Sequence, residues 1–249
     1  MIVFFLFVVA PFFGQTKTVH VFVALCDNIN QGIVPVPEAI GNGQDPKNNL
    51  YWGAGYGIKS FFKLKTKDWV FVKMLPAPNA YILERILFKH AKTNTYMLAD
   101  AYDGAAIKTC IEDFLKASNH QDNQCVKENG IDLGFGGASD LVAYVGHDGL
   151  MEFDVYIDYM EHSKAPKETI VLACYSKSFF KEELLKANAK PLVWTTHLMA
   201  PEAYTIKAAL DGWLLGENDL QIEERAAQAY HKYQKCGIRG ARNLFTTGF

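Results

Sequence analysis

No CxxC or HxxxH pair occurs in the chain, nor any run of lysine and arginine, low-complexity tract or internal repeat. The first absence removes the usual spacing of a zinc site. The second, with a formal net charge of −2, leaves no basic field for a nucleic acid or an anionic membrane. The others argue against linkers and solenoids. Beyond residues 1–14 no apolar run approaches the roughly 20 residues a spanning helix needs. Phosphate-binding signatures are incomplete. GAGYG at 53–57 supplies alternate glycines without the full GxGxxG or a GK[ST], and GFGGAS at 134–139 lacks the GxSxG of a nucleophile elbow.

What is present suits one sizeable domain. The 249 residues are 49% apolar and 21% charged, which provides an ample core and disfavours disorder. Residues 1–14 (MIVFFLFVVAPFFG) hold no charged side chain and are followed by polar Gln15, Thr16 and Lys17. Such a run matches the apolar segment of an export signal, so a periplasmic or secreted protein is expected, with 15–249 as the single mature domain. No basic residue precedes the run, and Phe12 rather than a small residue stands two before Gly14. A buried first strand is therefore the competing reading.

Cys26, Cys110, Cys125, Cys174 and Cys236 are odd in number, so at least one thiol is free or paired between chains. Export permits disulfides, and Cys110 with Cys125 is a candidate local pair. Five reduced and mostly buried cysteines are the alternative.

The hydrophobic pattern alternates strands with helices. Strands are expected at 19–26 (VHVFVALC), 68–75 (DWVFVKML), 140–146, 169–174 and 191–196 (PLVWTT), with a hairpin formed by 81–90 and 95–102. Helices are expected at 104–118, where Ile107, Ile111, Phe114 and Leu115 share a face, and at 153–161, 178–188, 202–215 and 220–234. The 119–129 stretch reads as a polar loop. The Gly-, Pro- and Asn-rich stretch 31–49 reads as a long loop of the kind that forms binding edges. The fold class that follows is α/β, a three-layer α/β/α sandwich on a mostly parallel sheet with an added hairpin.

Two strand ends carry reactive side chains. DLVAYVGHDG (140–149) runs into His147, and TIVLACYS (169–176) runs into Cys174. Reactive groups gather at the carboxyl ends of parallel strands, and a right-handed crossover returns the chain beside its start. A base would then lie beside a thiol, the arrangement that makes a thiolate available near neutral pH. Backbone N–H groups of Asp148 and Gly149 are candidate donors to an oxyanion. Asp27 and Asn28, after the first strand, and Thr196, after the last, belong to the same sheet edge as candidate substrate contacts. An acidic Asp27 there would favour a lysine or arginine before the cut. The remaining histidines lack comparable partners and read as structural or solvated.

In order and content the two blocks, LVAYVGHDG and IVLAC, resemble the clan of cysteine peptidases that includes caspases, gingipains, clostripain and legumain. The resemblance covers about residues 19–196. It implies a caspase-like core with His147 as general base, Cys174 as nucleophile, a peptide or protein substrate, and no metal or organic cofactor. One position departs: Asp148 stands where the clan's pattern has glycine directly after histidine, which bears on the oxyanion site. Two further readings are a non-catalytic caspase-like binding module that uses the 31–49 loop, and a hydrolase or transferase acting on a non-peptide ester or amide.

Overall fold

The computed structural model describes residues 15–161 and 163–249. The expected export signal, and His162, lie outside the described residues.

The described residues form ten strands and six α-helices. The strands are β1 (Lys17–Ala24), β2 (Trp69–Leu75), β3 (Ile82–His90), β4 (Thr95–Tyr102), β5 (Gln124–Glu128), β6 (Ile131–Phe135), β7 (Leu141–Val145), β8 (Lys167–Leu172), β9 (Ala189–Thr195) and β10 (Phe245–Thr246). The helices are α1 (Ile58–Leu64), α2 (Ile107–Ser118), α3 (Ser176–Lys186), α4 (Ala203–Leu214), α5 (Asp219–Gln234) and α6 (Ile238–Leu244). Eight strands form one sheet in the order β10-β9-β8-β7-β1-β4-β3-β2, and β5 with β6 form a separate hairpin. The central pairs β9/β8, β8/β7, β7/β1 and β1/β4 are parallel, whereas β3 and β2 on one edge and β10 on the other run antiparallel to their neighbours. The fold is thus a mostly parallel three-layer α/β/α sandwich.

Alternation along β1 explains the layering, because successive side chains leave opposite faces of a strand. Val19, Val21 and Val23 enter the core beneath α1, α4 and α5, and Phe22 and Ala24 enter the other core with Phe114 of α2 and Phe180 of α3. Both faces of the central strands are covered, which is why β1, β4 and β7 read as nearly unbroken apolar runs. His20, on the α2 face, sits in a buried ionic cluster: its Nε2 lies 2.9 Å from Asp100 Oδ2, and Arg85 grips Asp100 with Nε and Nη2 at 2.7 and 2.5 Å. Burial lowers the His20 pKa against the opposing pull of Asp100.

Several expectations are corrected. Residues 153–161 form no helix. After a 3-10 turn at Gly149–Met151 the chain runs extended, and Val155, Ile157 and Tyr159 pack inward on every second position. Asn119 and Gln121 fasten this strap by hydrogen bonds to Met160 and Asp158. The 119–129 stretch is not all loop, for it contains β5. Its Asn129 and Gly130 both take positive φ, 49° and 78°, as a tight hairpin turn requires. The sheet also continues past β9 to β10, which follows α6. All five cysteines are free thiols, with Cys110 buried in α2 and Cys125 exposed on β5.

Candidate active site

His147 and Cys174 leave the carboxyl ends of the adjacent parallel strands β7 and β8 and line one cavity of about 290 Å³. The turn carrying Cys174 is clamped from behind. Ser176 Oγ, at the start of α3, donates to the Val171 carbonyl at 3.1 Å, while Thr195 of β9 donates to the Ala173 carbonyl. Tyr175 between them adopts the left-handed region at φ 50°, a costly conformation for an aromatic residue. Its N–H donates to the His197 carbonyl at 3.0 Å, and its ring lies 5.9 Å from the His197 ring. The strand-to-helix turn is therefore fixed on both sides of the thiol.

His147 is 7% exposed and fixed at two points. Tyr144 donates its hydroxyl to the His147 carbonyl at 2.6 Å, and His147 Nε2 lies 2.6 Å from Glu152 Oε1. The same carboxylate oxygen accepts the Gly32 N–H at 2.7 Å. A Cβ at Gly32 would collide with that carboxylate, so glycine permits the approach. With Glu152 ionised, its oxygen takes an Nε2–H, which leaves Nδ1 as the imidazole's acceptor nitrogen.

The thiol of Cys174 exchanges contacts with the Met199 backbone: Sγ accepts from the N–H at 3.4 Å and donates to the carbonyl at 3.6 Å. Burial raises the thiol's pKa above its ordinary value; the Met199 N–H lowers it, and the charge of Asp148 raises it again. The N–H groups of His147, Asp148 and Cys174 have no hydrogen-bond partner among the described residues.

Asp148 does not line the cavity. Its side chain is fully buried and caps the 3-10 turn, with Oδ1 accepting the Leu150 N–H at 3.1 Å. Oδ2 is buried without a partner among the described residues, and burial pushes the carboxyl pKa up to about 7, with the Glu152 charge acting the same way. Gly149 is buried beside it, where a Cβ would meet the Phe153 ring at 2.5 Å. A larger residue there would have to displace that ring.

The other site candidates lie apart from the cavity. Asp27 and Asn28 line a different cleft. Asp27 organises its own loop, accepting from the N–H groups of Ile29 and Asn30 at 2.9 and 3.1 Å and from the side chains of Asn30 and Gln44 at 2.9 and 3.0 Å. Burial raises its pKa, but these four donors outweigh it and leave the carboxyl below its usual range. Asn28 exchanges hydrogen bonds with the Val36 backbone at 2.8 and 3.0 Å. Thr196 Oγ1 donates to the Asn243 carbonyl at 2.8 Å, tying β9 to α6.

The 31–49 loop forms one wall of the cavity. Asn49 pins it by accepting the Cys26 N–H at 3.0 Å and donating to the Cys26 carbonyl at 2.8 Å. Sequence reasoning missed Glu152, Met199 and this clamp. A carboxylate five residues after His147, across a turn with a glycine, was the available signal for Glu152.

Among the described residues, no group of three or more His, Cys, Asp or Glu side chains could hold a metal ion, and no helix is long and apolar enough to cross a membrane. No family model matches the chain, and no curated protein or solved structure does either.

Proposed function

We propose that this protein is a cysteine-dependent peptidase in which Cys174 attacks and His147 serves as base. The observation that carries the reading is one cavity lined by both side chains, at the ends of adjacent parallel strands. The strand order of the two motifs and their resemblance to caspase-like peptidases support it.

The proposed chemistry follows from the placement of the two side chains and of Glu152. The partly buried Cys174 thiol passes its proton to His147 Nδ1 as sulfur bonds to the substrate carbonyl carbon. Glu152, bonded to Nε2, stabilises the imidazolium that results. The unpaired N–H of Cys174, a residue that lines the cavity, is the donor available to the oxyanion. The C–N bond breaks, the imidazolium proton goes to the leaving amine, and a thioester remains on Cys174. Water then attacks that thioester, giving its proton to His147, and the thiol is released with the acid product.

A non-catalytic binding module is the second reading, and Asp148 favours it. A partnerless buried carboxyl next to the base adds negative charge when ionised and raises the Cys174 pKa further. Hydrolysis of a mixed peptide library, followed by mass spectrometry, separates the readings. Cleavage by the wild type that vanishes in Cys174→Ala supports the peptidase. Intact peptides with the wild type support the binding module, and turnover of simple esters alone supports a non-peptide hydrolase.

A further inference from the structure

We infer that the cavity at Cys174 is the subsite for an apolar substrate side chain, of the leucine or methionine class, on the residue whose carbonyl is attacked. The inference rests on the peptidase reading for the position of the attacked bond, and on the cavity's own lining for the kind of side chain.

Ile33, Val36, Leu50, Met151, Leu198 and Met199 are among the residues of the wall, and no Asp, Glu, Lys or Arg among the described residues lines it. Its mouth is apolar too: Val34, Leu198 and Met151 are 81%, 63% and 43% exposed. Exposed apolar side chains grouped around a reactive thiol are a surface that gains by being covered. The volume, about 290 Å³, is at the small end for ligand sites and suits one side chain rather than an extended ligand. Cys174 forms part of the wall, so the occupant is the side chain adjoining the attacked carbonyl. The thioethers of Met151 and Met199 are adaptable surfaces, which fits a class of apolar side chains rather than one shape.

A charged side chain finds no partner there. Glu152 is engaged by His147 and Gly32, Asp148 is buried under its own turn, and Asp27 is saturated in a separate cleft. A lysine, arginine or aspartate entering the cavity would lose its hydration without compensation. The acidic contact expected from the sequence at Asp27 thus gives way to an apolar one at Leu198 and its neighbours.

The test uses the full chain carrying Cys174→Ser and peptide amides that differ at a single position, Leu, Met, Arg or Asp, with dissociation constants read by titration. Leu and Met peptides are expected to bind at least ten-fold more tightly than Arg and Asp peptides. Leu198→Asp or Val34→Asp, both at exposed positions, is expected to cut that advantage at least five-fold. Equal or tighter binding of the charged peptides, no binding of any peptide, or an unchanged advantage in both variants overturns the inference. Hydrolysis by the wild type is measured in parallel. Apolar-selective binding without turnover sinks the peptidase reading and leaves the subsite standing; turnover without apolar preference does the reverse.

Discussion

Glu152 holds His147 by a 2.6 Å contact between Oε1 and Nε2, and the same oxygen ties down the N–H of Gly32 in the loop across the cavity. One carboxylate thus contacts both the imidazole of the proposed base and the loop that forms a wall of the cavity. Glu152→Gln keeps the size of the side chain but removes the charge that favours an imidazolium. A fall in kcat of roughly ten-fold or more is expected, with KM changed far less. Steady-state kinetics check this, and a change confined to KM would assign Glu152 to the loop alone.

Asp148 makes stability depend on pH. Its folded-state pKa of about 7 exceeds the value of about 3.9 expected in the unfolded chain. Between those values the folded chain keeps a proton that the unfolded chain has released. Stability from this group is therefore lost progressively as pH rises from about 4 to about 7, with the full penalty present above that. Asp148→Asn retains an oxygen for the Leu150 N–H and cannot ionise. Its melting temperature relative to wild type is expected to rise by several degrees between pH 5 and pH 8. A constant difference across that range would contradict the assignment.

Asp27 is expected to matter for folding rather than for substrate choice. Asp27→Ala strands four donors, and a loss of about 1–3 kcal/mol is expected in denaturant unfolding. The ratio of Leu to Arg peptide binding should not move. A selective loss of Arg binding would return Asp27 to the substrate site.

Asp100 is buried between His20 and Arg85, so Asp100→Ala leaves a guanidinium without its partner inside the sheet. A destabilisation of about 3–5 kcal/mol is expected by chemical denaturation. A loss below about 1 kcal/mol would mean that water reaches Arg85 in the folded chain.

The sandwich could be read from the sequence because its central strands and long helices carry strong periodicity. The β3–β4 hairpin, α2, α4 and α5 fall within a few residues of where the pattern puts them. The failures have physical causes. In β5 and β6 only Val126, Leu133 and Phe135 are buried, so polar flanks hid a hairpin whose Asn129-Gly130 turn was in plain view. The 153–161 strap carries carboxylates at helical spacing, yet its apolar residues alternate, and the tertiary contacts of Asn119 and Gln121 decide for the extended form. At the site, motif order pointed to His147 and Cys174, the two side chains that line one cavity. Glu152 and the apolar walls come from a turn and two distant loops, whose convergence no local pattern encodes.

The most direct measurement is the alkylation rate of Cys174 by a peptidyl acyloxymethyl ketone, read by intact mass in the wild type, His147→Ala and Cys174→Ala. Labelling is expected to be confined to Cys174, to be lost in Cys174→Ala and to fall at least ten-fold in His147→Ala. A Cys174 that reacts no faster than a free thiol peptide at neutral pH, with the same rate in His147→Ala, would contradict it.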